Sequence, residues 1–229
     1  MIVRGFEMEG RLKPQKGVMR FAFSLPAAVA LALAVLAGPA QGGLIYSTFG
    51  PGDSYDAAGH PVGTSENYMN AVSFTPVTTV TFDSARLGVA YLGGATNAFT
   101  VSLANDSVGM PGSAIETFSG LVFPSPGIVT VTSGVYPALA AGTTYWLIVH
   151  AVDPSNTIGA TLRNDQGIVG GWAHTESGAW YTGSDVTGSN ATPAFDVSGT
   201  EVVPEPSTLA LVGGAGLLLV LRRTFKRQR

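Results

Sequence analysis

The chain has 229 residues and no cysteine, which rules out disulfides, thiolate zinc sites, thiol nucleophiles and redox dithiols. Its formal net charge of −3 at pH 7 hides a lopsided distribution. Between Gln41 and Val203 only Arg86 and Arg163 are basic, against twelve acidic residues, so this stretch carries −10 and repels phosphate backbones. That argues against nucleic-acid partners.

Residues 1–42 read as a secretory signal peptide rather than as part of a fold. Lys13, Lys16 and Arg20 form a positive region ahead of an apolar stretch from Phe21, whose uninterrupted core is Ala27 to Ala37. Small residues follow in Gly38-Pro39-Ala40-Gln41-Gly42-Gly43, and cleavage after Ala40 or after Gly42 would suit a signal peptidase. The region before the apolar core is long, and Met19 would make a more ordinary start. The alternative reading of this segment is an N-terminal transmembrane anchor.

Residues 43–200 read as one secreted all-β domain. Short runs rich in Val, Thr, Phe and Tyr alternate with period two, and no long stretch has helical periodicity. Val72 to Thr75, Val77 to Phe82, Leu87 to Tyr91 and Phe99 to Leu103 are the first predicted strands, the last breaking at Asn105-Asp106-Ser107. Ile115 to Phe118 and Val129 to Val131 come next. Tyr145 to Val149 is apolar at successive positions, which predicts a central strand covered on both faces. Ile158 to Leu162, Trp172 to His174, Trp180 to Tyr181 and Phe195 to Val203 complete the set. Turn chemistry separates the runs at Gly50-Pro51-Gly52-Asp53, Met110-Pro111-Gly112-Ser113, Pro124-Ser125-Pro126-Gly127 and Asp153-Pro154-Ser155-Asn156. Many short strands punctuated by Gly and Pro predict a β-sandwich or jelly-roll-like domain.

Residues 203–229 form a distinct tail. A 14-residue apolar run, Thr208 to Leu221, is followed by Arg222, Arg223, Lys226, Arg227 and Arg229. As a helix the run would reach about 21 Å, short of a hydrocarbon core of about 30 Å. Basic residues beside it favour the cytoplasmic side, so it reads as a short membrane stop. Just before it, prolines flank one carboxylate in Pro204-Glu205-Pro206, which holds the backbone extended and averse to helix.

Val203-Pro204-Glu205-Pro206-Ser207-Thr208, the apolar run and the basic end together resemble the PEP-CTERM sorting signal. That resemblance implies export through the Sec route and processing by exosortase, an intramembrane protease-transpeptidase of Gram-negative bacteria that make extracellular polysaccharide. It implies that Pro204, Glu205 and Pro206 are recognition residues of a substrate. It also implies an inner-membrane intermediate that ends at the cell envelope, the outer surface or the extracellular matrix. The central region resembles the choice-anchor type R domain. The resembling pieces are Phe49-Gly50-Pro51-Gly52-Asp53-Ser54-Tyr55-Asp56, Ala71 to Pro76, Met110-Pro111-Gly112 and Leu139 to Leu147. That second resemblance implies no chemistry, and a fold alone would license none.

Candidate chemistry is sparse. His60, His150 and His174 fall in no close metal-ligand spacing, and neither a GxSxG elbow nor a phosphate-binding glycine loop is present. His150, at the end of the Tyr145 to Val149 run, reads as structural. Calcium is the one candidate cofactor, through Asp53 and Asp56 in the glycine-rich Gly50 to Gly59 loop. The plainer reading is that these carboxylates cap local amides in turns. Trp172, Trp180 and Tyr181 could form an aromatic platform for extracellular polysaccharide, with His174, Glu176 or Asp185 bonding hydroxyls. The competing reading is a hairpin packed on the core. Twelve acids leave many conceivable carboxylate pairs for a glycan hydrolase, and spacing promotes none of them. The expectation is therefore a non-enzymatic exported surface or biofilm-matrix protein, with a carbohydrate-binding module second and a glycan hydrolase third.

Overall fold

The computed structural model describes residues 42–64, 67–176, 178–182 and 190–202. The predicted signal peptide up to residue 41 and the Pro204-Glu205-Pro206 tail lie outside the described residues. Among the described residues every regular element is a β-strand. In chain order they begin β1 (Gly43–Ser47), β2 (Asp56–Gly63), β3 (Asn70–Phe74) and β4 (Val80–Gly94). Next come β5 (Ala98–Ser107), β6 (Met110–Val122), β7 (Gly127–Thr132), β8 (Ala138–Leu139) and β9 (Tyr145–Ala151). The last are β10 (Thr157–Arg163), β11 (Trp172–Glu176), β12 (Ala179–Thr182) and β13 (Phe195–Glu201).

These strands make two sheets, antiparallel at every pairing. The first has the 15-residue β4 as its spine, with β13 and then β10 along one edge and β8 and then β7 along the other. Flanking these, β1 pairs with β13 and β2 with β10. The second sheet runs β12-β11-β3-β9-β5-β6. Its two outermost strands, β12 and β6, touch each other, so the sheet is curled.

The length of β4 departs from the sequence reading, which has two strands there. Val80 and Phe82 point into the core, and so do Ala85, Leu87 and Val89. Inward positions are thus even before Asp83 and odd after it. The register shows why: Phe82 faces Gly199 and Ser84 faces Ser198, leaving Asp83 as an extra residue. A bulge of this kind bends a strand without ending it. A second difference lies at the β5–β6 hairpin. Asn105-Asp106-Ser107 continues β5, and the turn is Val108-Gly109, at φ 56° and 80°. Met110-Pro111-Gly112 starts β6 instead of making a turn. Proline is tolerated there because β6 is an edge strand and its missing N–H costs the sheet little.

The two sheets share one apolar core. Phe82, Leu87, Val89, Phe195 and Val197 of the first meet Phe74, Phe99, Val101, Leu147 and Val149 of the second. Burying each such side chain is worth about 1.5–3 kcal/mol, and this is the main source of stability in a chain without disulfides. β9 lies between β3 and β5 and is covered on both faces. Leu147 and Val149 point into the main core. Trp146 points the other way, into a small cluster with Ala71, Ala104 and Ala173 inside the curl of the second sheet. Alanines beside it leave room for the indole, and Met110, Ile148 and Trp180 close around it.

Candidate functional site

The hairpin of β11 and β12 carries the aromatic segment. Its register sets His174 opposite Tyr181 and Thr175 opposite Trp180. Period-two alternation then separates the three aromatic residues. Trp172 is only 1 % exposed and belongs to the main core. Trp180 is half-buried and packs with Trp146 in the curl of the second sheet. Tyr181 is 47 % exposed at the edge. The structure therefore brings no two of them onto a shared open face.

What Trp172 joins instead is a ladder of four rings. Its indole stacks on His60 with centroids 4.2 Å apart and tilts against His174 at 5.3 Å. His174 in turn stacks on Tyr181 at 6.0 Å. His60 is fully buried, and its Nε2 lies 2.7 Å from the Ala191 carbonyl oxygen. A carbonyl can only accept, so Nε2 carries the proton there. Beside the ladder, the Asn70 amide donates to His60 O, Pro61 O and Thr161 Oγ1 and ties β3 to β2 and β10. His150, next to last in β9, meets Asn67 Oδ1 at 3.3 Å, and burial holds its pKa below the ordinary imidazole value.

The acidic loop is organised by arginine. Both carboxylate oxygens of Asp53 accept from the Arg86 guanidinium, at 2.7 and 2.9 Å. Arg86 Nε donates to Asp196 Oδ2 at 2.9 Å, and a second guanidinium nitrogen reaches the same oxygen. The guanidinium also lies over the Phe49 ring, 5.5 Å from its centroid. Hydrogen bonding to Arg86 holds the Asp53 carboxyl below the usual carboxylate range, and both acids push Arg86 further up. Asp56 turns back on its own chain, with Oδ1 accepting from the Ala58 amide at 3.0 Å. The two calcium candidates thus have local partners and do not converge. Among the described residues no group of three or more His, Asp or Glu is placed to hold a metal ion. Asp165 approaches the same loop. Hydrogen bonds from the Ser54 hydroxyl and then the Gln166 amide lower its pKa. A Cβ at position 50 would meet the side-chain ends of Ser54, Asp165 and Gln166, which would have to shift to admit it.

Sequence reasoning gave no role to Arg86, Asp196, His60 or Trp146. One signal for Arg86 existed: in a stretch with two basic and twelve acidic residues, each cation has acids to choose from.

Pro204, Glu205 and Pro206 lie outside the described residues. The strands that lead to them do not. Gly43 of β1 faces Gly199 of β13, so the described chain enters and leaves at the same end of one sheet. Beside that exit is a groove of about 210 Å³ lined by Leu44, Ile45, Val77, Val80, Gly199 and Glu201.

The chain matches no family model, and no curated protein is significantly similar to it.

Proposed function

We propose that this is an exported, non-enzymatic protein of the cell envelope or extracellular matrix, processed at both ends and sorted by an exosortase-type system. The observation that carries the reading is the order of the tail. Pro204-Glu205-Pro206 precedes a 14-residue apolar run, and that run ends in five basic residues at 222–229. The apolar 27–37 segment with its small-residue sequel supplies the matching export signal. In this reading the two-sheet body is a single β-sandwich of the jelly-roll type. It is carried between two removable targeting segments and associates with exopolysaccharide or biofilm outside the cell. The adjacency of Gly43 and Gly199 fits such a body, because both segments can be cut away without unpairing the interior strands.

A saccharide platform built from Trp172, Trp180 and Tyr181 needs the three rings on one open face, and the β11–β12 hairpin sends them to three environments. Carbohydrate binding therefore stays the second reading, without that platform.

The test is the intact mass, with terminal peptides, of the protein isolated from its own cells. The expected product lacks the residues before Gln41 or Gly43 and everything after the Pro-Glu-Pro region, with any surplus mass reporting a lipid or glycan. A product that still carries Arg229 would overturn the processing claim.

A further inference from the structure

The end of the domain where the chain enters and leaves is its most suggestive surface. Leu44 is 65 % exposed and Val77 88 %, and both line the 210 Å³ groove. Val202, 44 % exposed, is tied beside them by its amide, which donates to Thr79 O at 2.9 Å. Among the described residues, none of these three belongs to the core cluster between the sheets.

Both apolar runs of the sequence attach at this end. Residues 38–42 separate Ala37 from β1, and residues 203–207 separate Val202 from Thr208. Five residues span at most about 18 Å when fully extended. The headgroup layer on each side of the hydrocarbon is about 5–8 Å thick. A bilayer that holds either run therefore lies within reach of Leu44, Val77 and Val202. The charge of the body selects among lipids. Glu201 lines the groove, and the stretch around it carries −10, so an anionic surface is repelled.

We propose that Leu44, Val77 and Val202 form a docking surface for the zwitterionic lipid interface, seating the domain on the bilayer until its anchor is removed. The proposal rests on the reading of residues 208–221 as a membrane segment. Docking would keep the body at the membrane surface, where an intramembrane enzyme works.

The absence of native cysteine makes the test direct. Val77→Cys and Val152→Cys are each introduced into the full chain and labelled with an environment-sensitive fluorophore. Position 152 is an equally apolar exposed site at the other end, on the β9–β10 connection next to Gly94. The chains are reconstituted in phosphatidylcholine vesicles containing spin-labelled lipid. The expected result is flotation of both variants, with a blue shift and quenching at position 77 and neither at 152. Flotation with equal quenching at both sites, or at neither, overturns the docking surface and leaves the membrane segment standing. Failure to float removes the membrane reading and the proposal together. Replacing part of the phosphatidylcholine with phosphatidylglycerol should weaken the quenching at 77, and undiminished quenching would overturn the preference for zwitterionic lipid.

Discussion

Val108 sits at the first position of a two-residue hairpin with φ 56°, a conformation that a β-branched side chain resists. Its side chain is 99 % exposed, so nothing in the core compensates. Val108→Asn is expected to stabilise the protein by about 1 kcal/mol, read as a higher urea midpoint with an unchanged slope. The neighbouring Asp106 makes this hairpin more than a connection. It accepts from the Gly109 amide and from the Trp146 indole, both near 2.8–2.9 Å, and so fixes the turn to the cluster inside the curled sheet. Trp172 gives a second test. Because it is buried against His60 and the main core, Trp172→Ala should cost about 3–5 kcal/mol of unfolding free energy. Tyr181→Ala, at an exposed edge, should change stability by less than about 1 kcal/mol. Equal small losses at both positions would mean that the indole is not a core residue. A sequence can place aromatic residues one or eight positions apart, but the face each one takes follows from strand register, and this is why the platform was legible only as a list of candidates.

At the scale of elements, the bulge at Asp83 and the clasp at Arg86 decide how the first sheet holds its loop. Alternation in the sequence identified ten of the thirteen described strands and passed over β1, β2 and the two-residue β8; Asp56 to Gly59, read there as part of a glycine-rich loop, opens β2. Alternation divided β4, because a bulge reverses the phase of the pattern and an acidic residue at that point resembles a turn. It also set a turn at Met110-Pro111-Gly112, since proline in an edge strand has the same sequence signature as proline in a loop. The Arg86 clasp ties the Phe49–Asp56 segment to β4 and β13. Removing the cation strands the buried Asp196 carboxylate, so Arg86→Ala should be far more damaging than Asp53→Asn, by about 3–5 kcal/mol. The pH dependence has a definite sign. Asp53 has a folded pKa below its unfolded one, so its contribution is complete above the ordinary aspartate value and disappears as pH falls through the lowered folded value. The stability difference between the native protein and Asp53→Asn should therefore be flat from pH 7 down to about 4 and shrink only in stronger acid. Denaturation midpoints measured across that range would show a different window if another partner held the loop.

For the molecule as a whole, the apolar layer between the two sheets is the main source of stability. The body has no cysteine to bridge, and Asp53 spends both oxygens on Arg86. Chelator and reductant are accordingly expected to leave the thermal midpoint unchanged, which a calorimetric scan with and without each additive would check. A chelator-induced fall in the midpoint would show that a cation site exists elsewhere in the chain.

What the sequence alone determined was set by quantities that are local or additive. Alternating Val, Thr, Phe and Tyr between glycines and prolines determined an all-β body, and the absence of cysteine removed a whole class of chemistry. Composition also set the acidity of that body, and Tyr145 to Val149 already showed a strand covered on both sides. What only tertiary structure decided depended on long-range register. It sent Trp172 inward and Trp180 into the curl, gave Asp53 to an arginine 33 positions away, and stacked His60 on an indole more than a hundred residues later. It also brought Gly43 and Gly199 together at one exit. Pairing across such distances is fixed by how two sheets bury one core, and no local pattern carries that information.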